Sequence, residues 1–440
     1  MISKPYHIIF LLLFLGLGLR LFLVFGMPIR DTVTGEPQHF DTVAWNLASG
    51  NGYSASSSVP FLPMVDRPPV YFVFIAAIYR LLGYEPLWVR LFQILIDLGT
   101  CLLVFGMAKD CFGMKAAYWA LAISCLNPFL SVYTAALLPT TLTVFLLTLS
   151  VFFMSKAVRT LKPFLFIVTG ISLGALILCR EENEFIPILF GIFLIGKFRQ
   201  RSFRSLIALG VGLVLFMSPW WIRNYHVSGR FIPVTYGGAV GRALYFSTVQ
   251  QVFERDATYF EMLPGELRSL WEQTHSSRYE DVQKAERRFA EIGWERIRKD
   301  PIGYFFRRLA NYPKFWIGMH PDEFVILESG ILSTFHPNFK KMEWAFFHDQ
   351  KEIALLGLKY FLLFLSTAYV ILAGYGIWVC RKLSLPGLLY VKLTLFYYAV
   401  IFFIVITEPR YSIPVHPFLS LFAALPIALL ADPGEAGGRA

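Results

Sequence analysis

Pro68-Pro69-Val70-Tyr71-Phe72-Val73-Phe74-Ile75-Ala76-Ala77-Ile78-Tyr79-Arg80-Leu81-Leu82 is an apolar segment broken only by Arg80. It is nevertheless short of the ~20 residues that a helix needs to cross a bilayer. Paired prolines suit the first turn of a helix, so the segment reads as a helix. Whether it spans or lies on the surface decides the topology of all that follows. If it spanned, the later basic connections would fall alternately on the wrong side of the membrane. If it lies in the interface, they all fall on one side, and the positive-inside rule selects that arrangement.

The surrounding chain makes the question a membrane one. Its 440 residues are 56% hydrophobic and 17% aromatic, with only 16% charged. Soluble domains carry nearer a quarter charged residues. Apolar runs of span length recur from end to end, so the class is an all-α polytopic membrane protein. The net charge of +10 does not point to nucleic acid, because its carriers sit in short connections between apolar runs. They are Lys4, Lys109, Lys115, Lys156, Arg159, Lys162, Lys197, Arg199, Arg201, Arg204, Arg381 and Lys382, with Asp110 almost their only acidic company. That pattern sets topology. Cys101, Cys111, Cys125, Cys179 and Cys380 show no metal or disulfide spacing.

About ten spans are expected, near 7–27, 87–108, 116–135, 139–157, 162–179, 184–197, 204–221, 352–379, 385–406 and 411–431. The first carries no A-x-A-like cleavage site and reads as a retained helix. Arg20 within it is expected to face other helices or to snorkel, and Asp97 to pack between helices. Three parts follow: a transmembrane module over 1–221, an external region over 222–351, and C-terminal spans with a short tail over 352–440. The first external loop, 28–86, holds two interfacial helices. Gln38 to Ala48 is the first, with Phe40, Val43, Ala44 and Leu47 on one face and Gly50-Asn51-Gly52 ending it. The second is the stretch that opens this section. The external region is mostly helical, with a helical period over 277–299 and an amphipathic segment over 301–316, aromatic on one side and basic on the other.

On this topology the polar clusters meet at one face. They are Glu36 and Asp41, Asp66-Arg67, Arg180-Glu181-Glu182, Arg223-Asn224 and Glu408-Pro409-Arg410-Tyr411. Interfacial anchoring accounts for single Arg and Tyr residues at headgroups. It gives no reason for repeated arginines beside proline-rich turns. A carboxylate facing arginines suits transfer from a phosphate-linked donor, since the carboxylate can take a proton from an acceptor hydroxyl. Guanidinium groups match phosphate in a bidentate way and stabilise it as a leaving group.

Four motifs carry a family resemblance. Gly35-Glu36-Pro37-Gln38-His39-Phe40-Asp41-Thr42-Val43-Ala44, followed by Asn46-Leu47-Ala48-Ser49-Gly50-Asn51-Gly52-Tyr53, resembles the first external loop of GT-C glycosyltransferases. The branch is that of the aminoarabinose transferases and dolichyl-phosphate-mannose protein mannosyltransferases. Asp66-Arg67-Pro68-Pro69 is similar to its acidic–basic–Pro–Pro step. Pro219-Trp220-Trp221-Ile222-Arg223-Asn224-Tyr225 and Arg410-Tyr411-Ser412-Ile413-Pro414 resemble two further motifs.

The resemblance implies inverting transfer of a sugar from a polyprenyl-phosphate donor to a lipid, protein or glycan hydroxyl on the non-cytoplasmic face of a bacterial inner membrane. It places the catalytic carboxylate on Glu36, where the family usually has Asp, with Asp41 as the local competitor. It places the phosphate contact on Arg67 and an organising role on Asp66. Arg223, Asn224, Arg410 and Tyr411 are further candidates for holding the donor. Leu138-Pro139-Thr140-Thr141 lacks the acidic residue that many relatives carry after the third span. No cofactor is called for. His39 and Asp66 are two conceivable ligands for a divalent ion, without a third.

A transporter or flippase of a lipid-linked sugar, using the same arginines for binding alone, is the competing class. Transporters often show inverted repeats and mid-membrane polar sites. Here no repeat is seen, and the polar residues lie at one face.

Overall fold

The computed structural model describes residues 4–26, 36–199, 202–235, 240–248, 265–274, 279–317, 350–382, 385–405, 407 and 409–431. Among these, every regular element is helical. In chain order they are α1 (Lys4–Gly26), α2 (Glu36–Ala48), α3 (Val70–Leu82), α4 (Pro86–Phe112), α5 (Met114–Cys125), α6 (Pro128–Ser131), α7 (Thr140–Thr160), α8 (Pro163–Ile177), α9 (Ile186–Phe198) and α10 (Ser202–Ser228). There follow α11 (Val240–Ser247), α12 (Gly265–Gln273), α13 (Tyr279–Lys299), α14 (Pro301–Asn311), α15 (Pro313–Trp316), α16 (Gln350–Val379), α17 (Pro386–Ile404) and α18 (His416–Leu430).

Seven of the described helical stretches are long and apolar enough to cross a bilayer. The molecule is a multi-pass membrane protein. An eighth crossing arises if α5 and the stretch Pro128–Ala135 form one span bent by 49°. The bend has a local cause. Asn127 Oδ1 accepts from the amides of Phe129 at 2.9 Å and Leu130 at 3.2 Å, and Pro128 takes the first position of the new turn. The chain therefore restarts a helix where an unbroken span over 116–135 was expected. The spans expected at 162–179 and 184–197 form helices of 15 and 13 residues. Length and composition thus do not establish all ten crossings. The stretch that opens the sequence reading is a 13-residue helix from Val70. α10 runs on past the expected boundary at 221 to Ser228.

One charged pair holds the start of the bundle together. Arg20 of α1 is fully buried, and its Nε donates to Asp97 Oδ2 of α4 at 2.7 Å. One Nη donates to the carbonyls of Gly16 and Cys125, each at 2.8 Å. In a medium without water the guanidinium needs that full set of acceptors. It therefore ties α1 to α4 and to the end of α5. Elsewhere small residues do this work. A Cβ on Gly170 would collide with the Leu209 carbonyl oxygen, and one on Gly212 with that of Ile167, so α8 and α10 can cross in backbone contact only with glycine there.

The helix ends sort the bundle's two faces. At one, Arg159 stands 3.6 Å from Asp110, and Ser155 donates to the Gly387 carbonyl at 3.0 Å. This is the face of the basic connections. At the other, the Val70 amide donates to the Leu178 carbonyl at 2.8 Å, which seats α3 on the end of α8. Gln93 of α4 accepts from the Tyr71 hydroxyl at 2.9 Å and donates to the carbonyls of Thr134 and Ala136 at 3.1 and 2.8 Å. Four pieces of chain distant in sequence are thereby locked at one level, and the polar clusters gather there.

Asp97→Ala leaves the Arg20 guanidinium buried without its counter-charge. It is expected to destabilise the bundle by about 3–5 kcal/mol, read as a shift of the unfolding transition in detergent. The double replacement of Arg20 by Met and Asp97 by Leu should recover most of that loss.

Candidate active site

The site begins with α2 lying on α3. Helical spacing puts Phe40, Val43 and Ala44 on one face of α2, and all three are buried. Phe40 packs edge-on to Tyr71 at 5.1 Å and tilted on Phe72 at 4.9 Å between ring centroids. Asp41 comes next on the helix and is committed elsewhere. Tyr79 donates to one carboxylate oxygen at 2.5 Å and Tyr84 to the other at 2.6 Å. Partial burial and the bond to Asp41 push the Tyr84 phenol up to about 12, so it stays a donor at any ordinary pH. Asp41 thereby pins α2 to the far end of α3. Glu36 is the first residue of α2. Its side chain lies outside the described residues, as does Glu408.

The loop between α2 and α3 is held by its own backbone and by α10. Asn46 donates to the carbonyls of Ser54 and Ser56 at 2.9 and 2.8 Å. Tyr53 is buried, and its hydroxyl reaches the carbonyls of Arg67 at 3.1 Å and Pro68 at 3.3 Å. Arg223 of α10 donates to the Met64 carbonyl at 2.6 Å and lies over the rings of Tyr53 and Trp220 at 5.3 and 5.0 Å. Its neighbour Asn224 is fully buried and donates to the Ile232 carbonyl at 3.2 Å. These two residues therefore strut the loop and the exit of α10 together. Burial raises the Tyr53 phenol, Asp66 adds to the rise, and Arg223 and Arg67 oppose it. The Asp66, Arg67 and Arg223 charges thus all bear on one buried phenol. Arg67 itself is exposed.

A second cluster forms where α8 hands over to α9. Arg180 pairs with Glu182 at 2.6 Å and lies over the Tyr411 ring at 5.2 Å. Arg410 reaches the Tyr411 hydroxyl at 3.1 Å. Two tyrosines of α17 brace this turn, Tyr397 donating to the Glu182 carbonyl and Tyr398 to Asn183 Oδ1 at 2.7 Å.

Glu181, between the clusters, accepts from Thr235 Oγ1. Burial raises its carboxyl above the ordinary range and Glu182 adds to the rise, whereas the Thr235 bond, Arg67 and Arg242 oppose it. Arg67 of the first loop and Arg242 of α11 therefore both act on this one carboxyl. Arg242 is in turn paired with Glu286 of α13 at 2.5 Å.

The expected residues accordingly fall into groups. Asp66, Arg67 and Arg223 converge around Tyr53, and Arg410 and Tyr411 join Arg180 and Glu182. Asp41 belongs to the α2–α3 seam. Glu181 went unassigned in the sequence reading. Its signal was two carboxylates following an arginine at the end of an apolar helix. Among the described residues no three or more His, Cys, Asp or Glu side chains group as a metal site. His39 instead packs edge-on to Phe72 at 5.9 Å between centroids.

With this geometry in hand, the comparisons bear on it. A sequence model of the family described as dolichyl-phosphate-mannose-protein mannosyltransferase matches residues 66–222, from the Asp66-Arg67 step to the middle of α10. The oligosaccharyltransferase of Archaeoglobus fulgidus, in its apo form, superposes on 98% of the chain with a TM-score of 0.54 at 12% identity. The chain has the GT-C fold of membrane glycosyltransferases. It resembles the protein mannosyltransferases over the matched segment, and it spans about half the length of the oligosaccharyltransferase, 51%. The same archaeal protein, AglB, in complex with an inhibitory peptide and a dolichol-phosphate, matches at a TM-score of 0.53 and 12% identity over 98% of this chain and 51% of that one. ArnT from Cupriavidus metallidurans bound to undecaprenyl phosphate aligns over 95% of this chain and 76% of its own at 13% identity, with a TM-score of 0.38 that carries no weight for the fold. No curated protein matches the chain significantly.

Glu181 generates a pH test. A carboxyl whose folded pKa is raised holds its proton more tightly in the folded state, so its stabilising contribution is lost as pH rises through the folded value. Glu181→Gln removes that term and keeps an acceptor for Thr235. The melting temperature of wild type relative to this variant is expected to rise on acidification through a window just above the ordinary glutamate range, and to be flat at higher pH.

Proposed function

We propose that the protein transfers a sugar from a polyprenyl-phosphate donor to an acceptor hydroxyl, with inversion, on the non-cytoplasmic face of a bacterial inner membrane. The observation that carries this reading is the exposed Arg67, which follows Asp66 in the loop braced by Tyr53 and Arg223 and lies inside the segment matching the mannosyltransferase family. The structure of AglB with a dolichol-phosphate supports a lipid phosphate as the donor's anchor. The gathering of basic connections at the opposite face supports the sidedness.

In this reading Glu36 takes the proton of the acceptor hydroxyl as that oxygen bonds to the anomeric carbon. The bond from that carbon to the phosphate oxygen breaks, and its electron pair leaves with the lipid phosphate. Arg67 neutralises the developing charge, with Arg410 as a second cation. A single displacement inverts the anomeric centre. Two phenols already occupy the oxygens of Asp41, which favours Glu36 as the base. Arg223 and Asn224 act on the donor through the loop they strut. Glu181, under the influence of Arg67, supplies the second carboxyl that the turn after the third span lacks. The external region, 222–351, selects the acceptor.

The test follows release of free polyprenyl phosphate from a panel of radiolabelled polyprenyl-phosphate sugars by purified protein. Glu36→Gln is expected to lower turnover by about 10²–10⁴-fold with donor binding retained. Asp41→Asn should cost about 1–3 kcal/mol of stability, the loss of two hydrogen bonds to a part-buried charged acceptor, with a smaller loss of turnover. Loss confined to Asp41→Asn would move the base there. A wild type that binds donor and never releases lipid phosphate with any acceptor would sink the transferase reading in favour of transport.

A further inference from the structure

The external region contains a helix whose apolar face is largely exposed among the described residues. In α14, Ile302, Phe305, Phe306 and Leu309 are 72%, 50%, 60% and 48% exposed. Their spacing of three and four residues places them on one stripe. A soluble surface rarely shows four large apolar side chains in a row along one helix.

The opposite side of α14 is held firmly to the end of a membrane span. Arg308 donates to the carbonyls of Phe403 and Phe402 at 2.8 and 3.1 Å, and Tyr304 donates to that of Ile404 at 3.1 Å. These carbonyls belong to the last turn of α17, which no intrahelical amide can satisfy. Tyr312, just beyond α14, donates to the Ala399 carbonyl at 2.7 Å. α14 is therefore fixed at the depth where α17 leaves the bilayer.

That depth identifies what covers the stripe. Phe396, Val400 and Ile404 form the exposed ladder of α17 and face lipid. Phe305 stacks edge-on to Phe403 at 5.8 Å. The exposed stripe of α14 thus continues the lipid-facing surface of α17 around a corner. Arg298 and Lys299 stand exposed just before the helix, and Lys314 just after it. Apolar side chains flanked by cations at the end of a span suit the boundary between acyl chains and phosphate headgroups. We infer that α14 is a membrane-surface helix, lying in the leaflet at the site end with Ile302, Phe305, Phe306 and Leu309 inserted among the acyl chains. The external region is then docked on the bilayer beside the site rather than standing free above it. This inference stands independently of the transfer chemistry.

Site-directed spin labelling of the full-length protein in lipid nanodiscs tests it, with the signal of the unsubstituted protein subtracted for its native cysteines. Labels at Phe305→Cys and Leu309→Cys are compared with one at Glu295→Cys, on an exposed position of α13. Collision with oxygen, which partitions into lipid, is measured against collision with a water-soluble nickel chelate. A severalfold higher oxygen-to-nickel ratio at Phe305→Cys and Leu309→Cys is the expected result. A ratio at both equal to that at Glu295→Cys puts the stripe in water and overturns the inference. Low collision with both reagents means that protein covers it, either residues 318–349 or a second copy, and overturns it equally. Ile302→Cys gives the same reading should either variant fail to fold.

Discussion

A guanidinium in the core of a bilayer has no water to turn to, and the packing of the first helices follows from that. Arg20 finds its counter-charge in Asp97 and its remaining acceptors in the carbonyls of Gly16 and Cys125. Only one placement of α1 against α4 and α5 supplies all of them. Because α1 leads into α2, this placement also sets where the first loop begins. The pair thus specifies arrangement more than it adds stability, as buried ion pairs commonly do when their desolvation is counted.

At the loop end the same constraint appears in milder form. Backbone carbonyls in loops and at a helix end are met by side chains: Arg223 at Met64, Asn224 at Ile232, Trp220 at Val234, Arg308 at Phe402 and Phe403. The Arg223 and Arg308 bonds join segments far apart in sequence, whereas those of Asn224 and Trp220 staple α10 to the chain that leaves it. The consequence is a rigid frame around the loop that carries the exposed Arg67. A preorganised frame of this kind lets a charged ligand meet its partners without reorganisation.

Much of this was legible in the amino-acid order. Hydropathy gave the multi-pass class and the seven long apolar helices among the described residues, and it marked 68–82 as a shorter apolar helix. The amphipathic character of 301–316 was also plain, although the span it rests on was not. Other features were hidden because they depend on partners. Asp41 looks as available as Glu36 until Tyr79 and Tyr84 are seen on it. Arg223 shows no sign in the sequence of its bond to the Met64 carbonyl. Glu181 looks like an interfacial charge until burial and Arg67 are added.

What the sequence determined by itself was the class of molecule and the resemblance that the family match bears out over residues 66–222. Those are properties of local runs, since hydrophobic length, charge bias and turn chemistry act over a few residues at a time. Tertiary structure alone decided which polar groups are spent on holding backbone and which remain to meet a ligand. That division depends on which donors and acceptors three-dimensional packing brings within about 3 Å of each other, and no pattern along a single chain contains it.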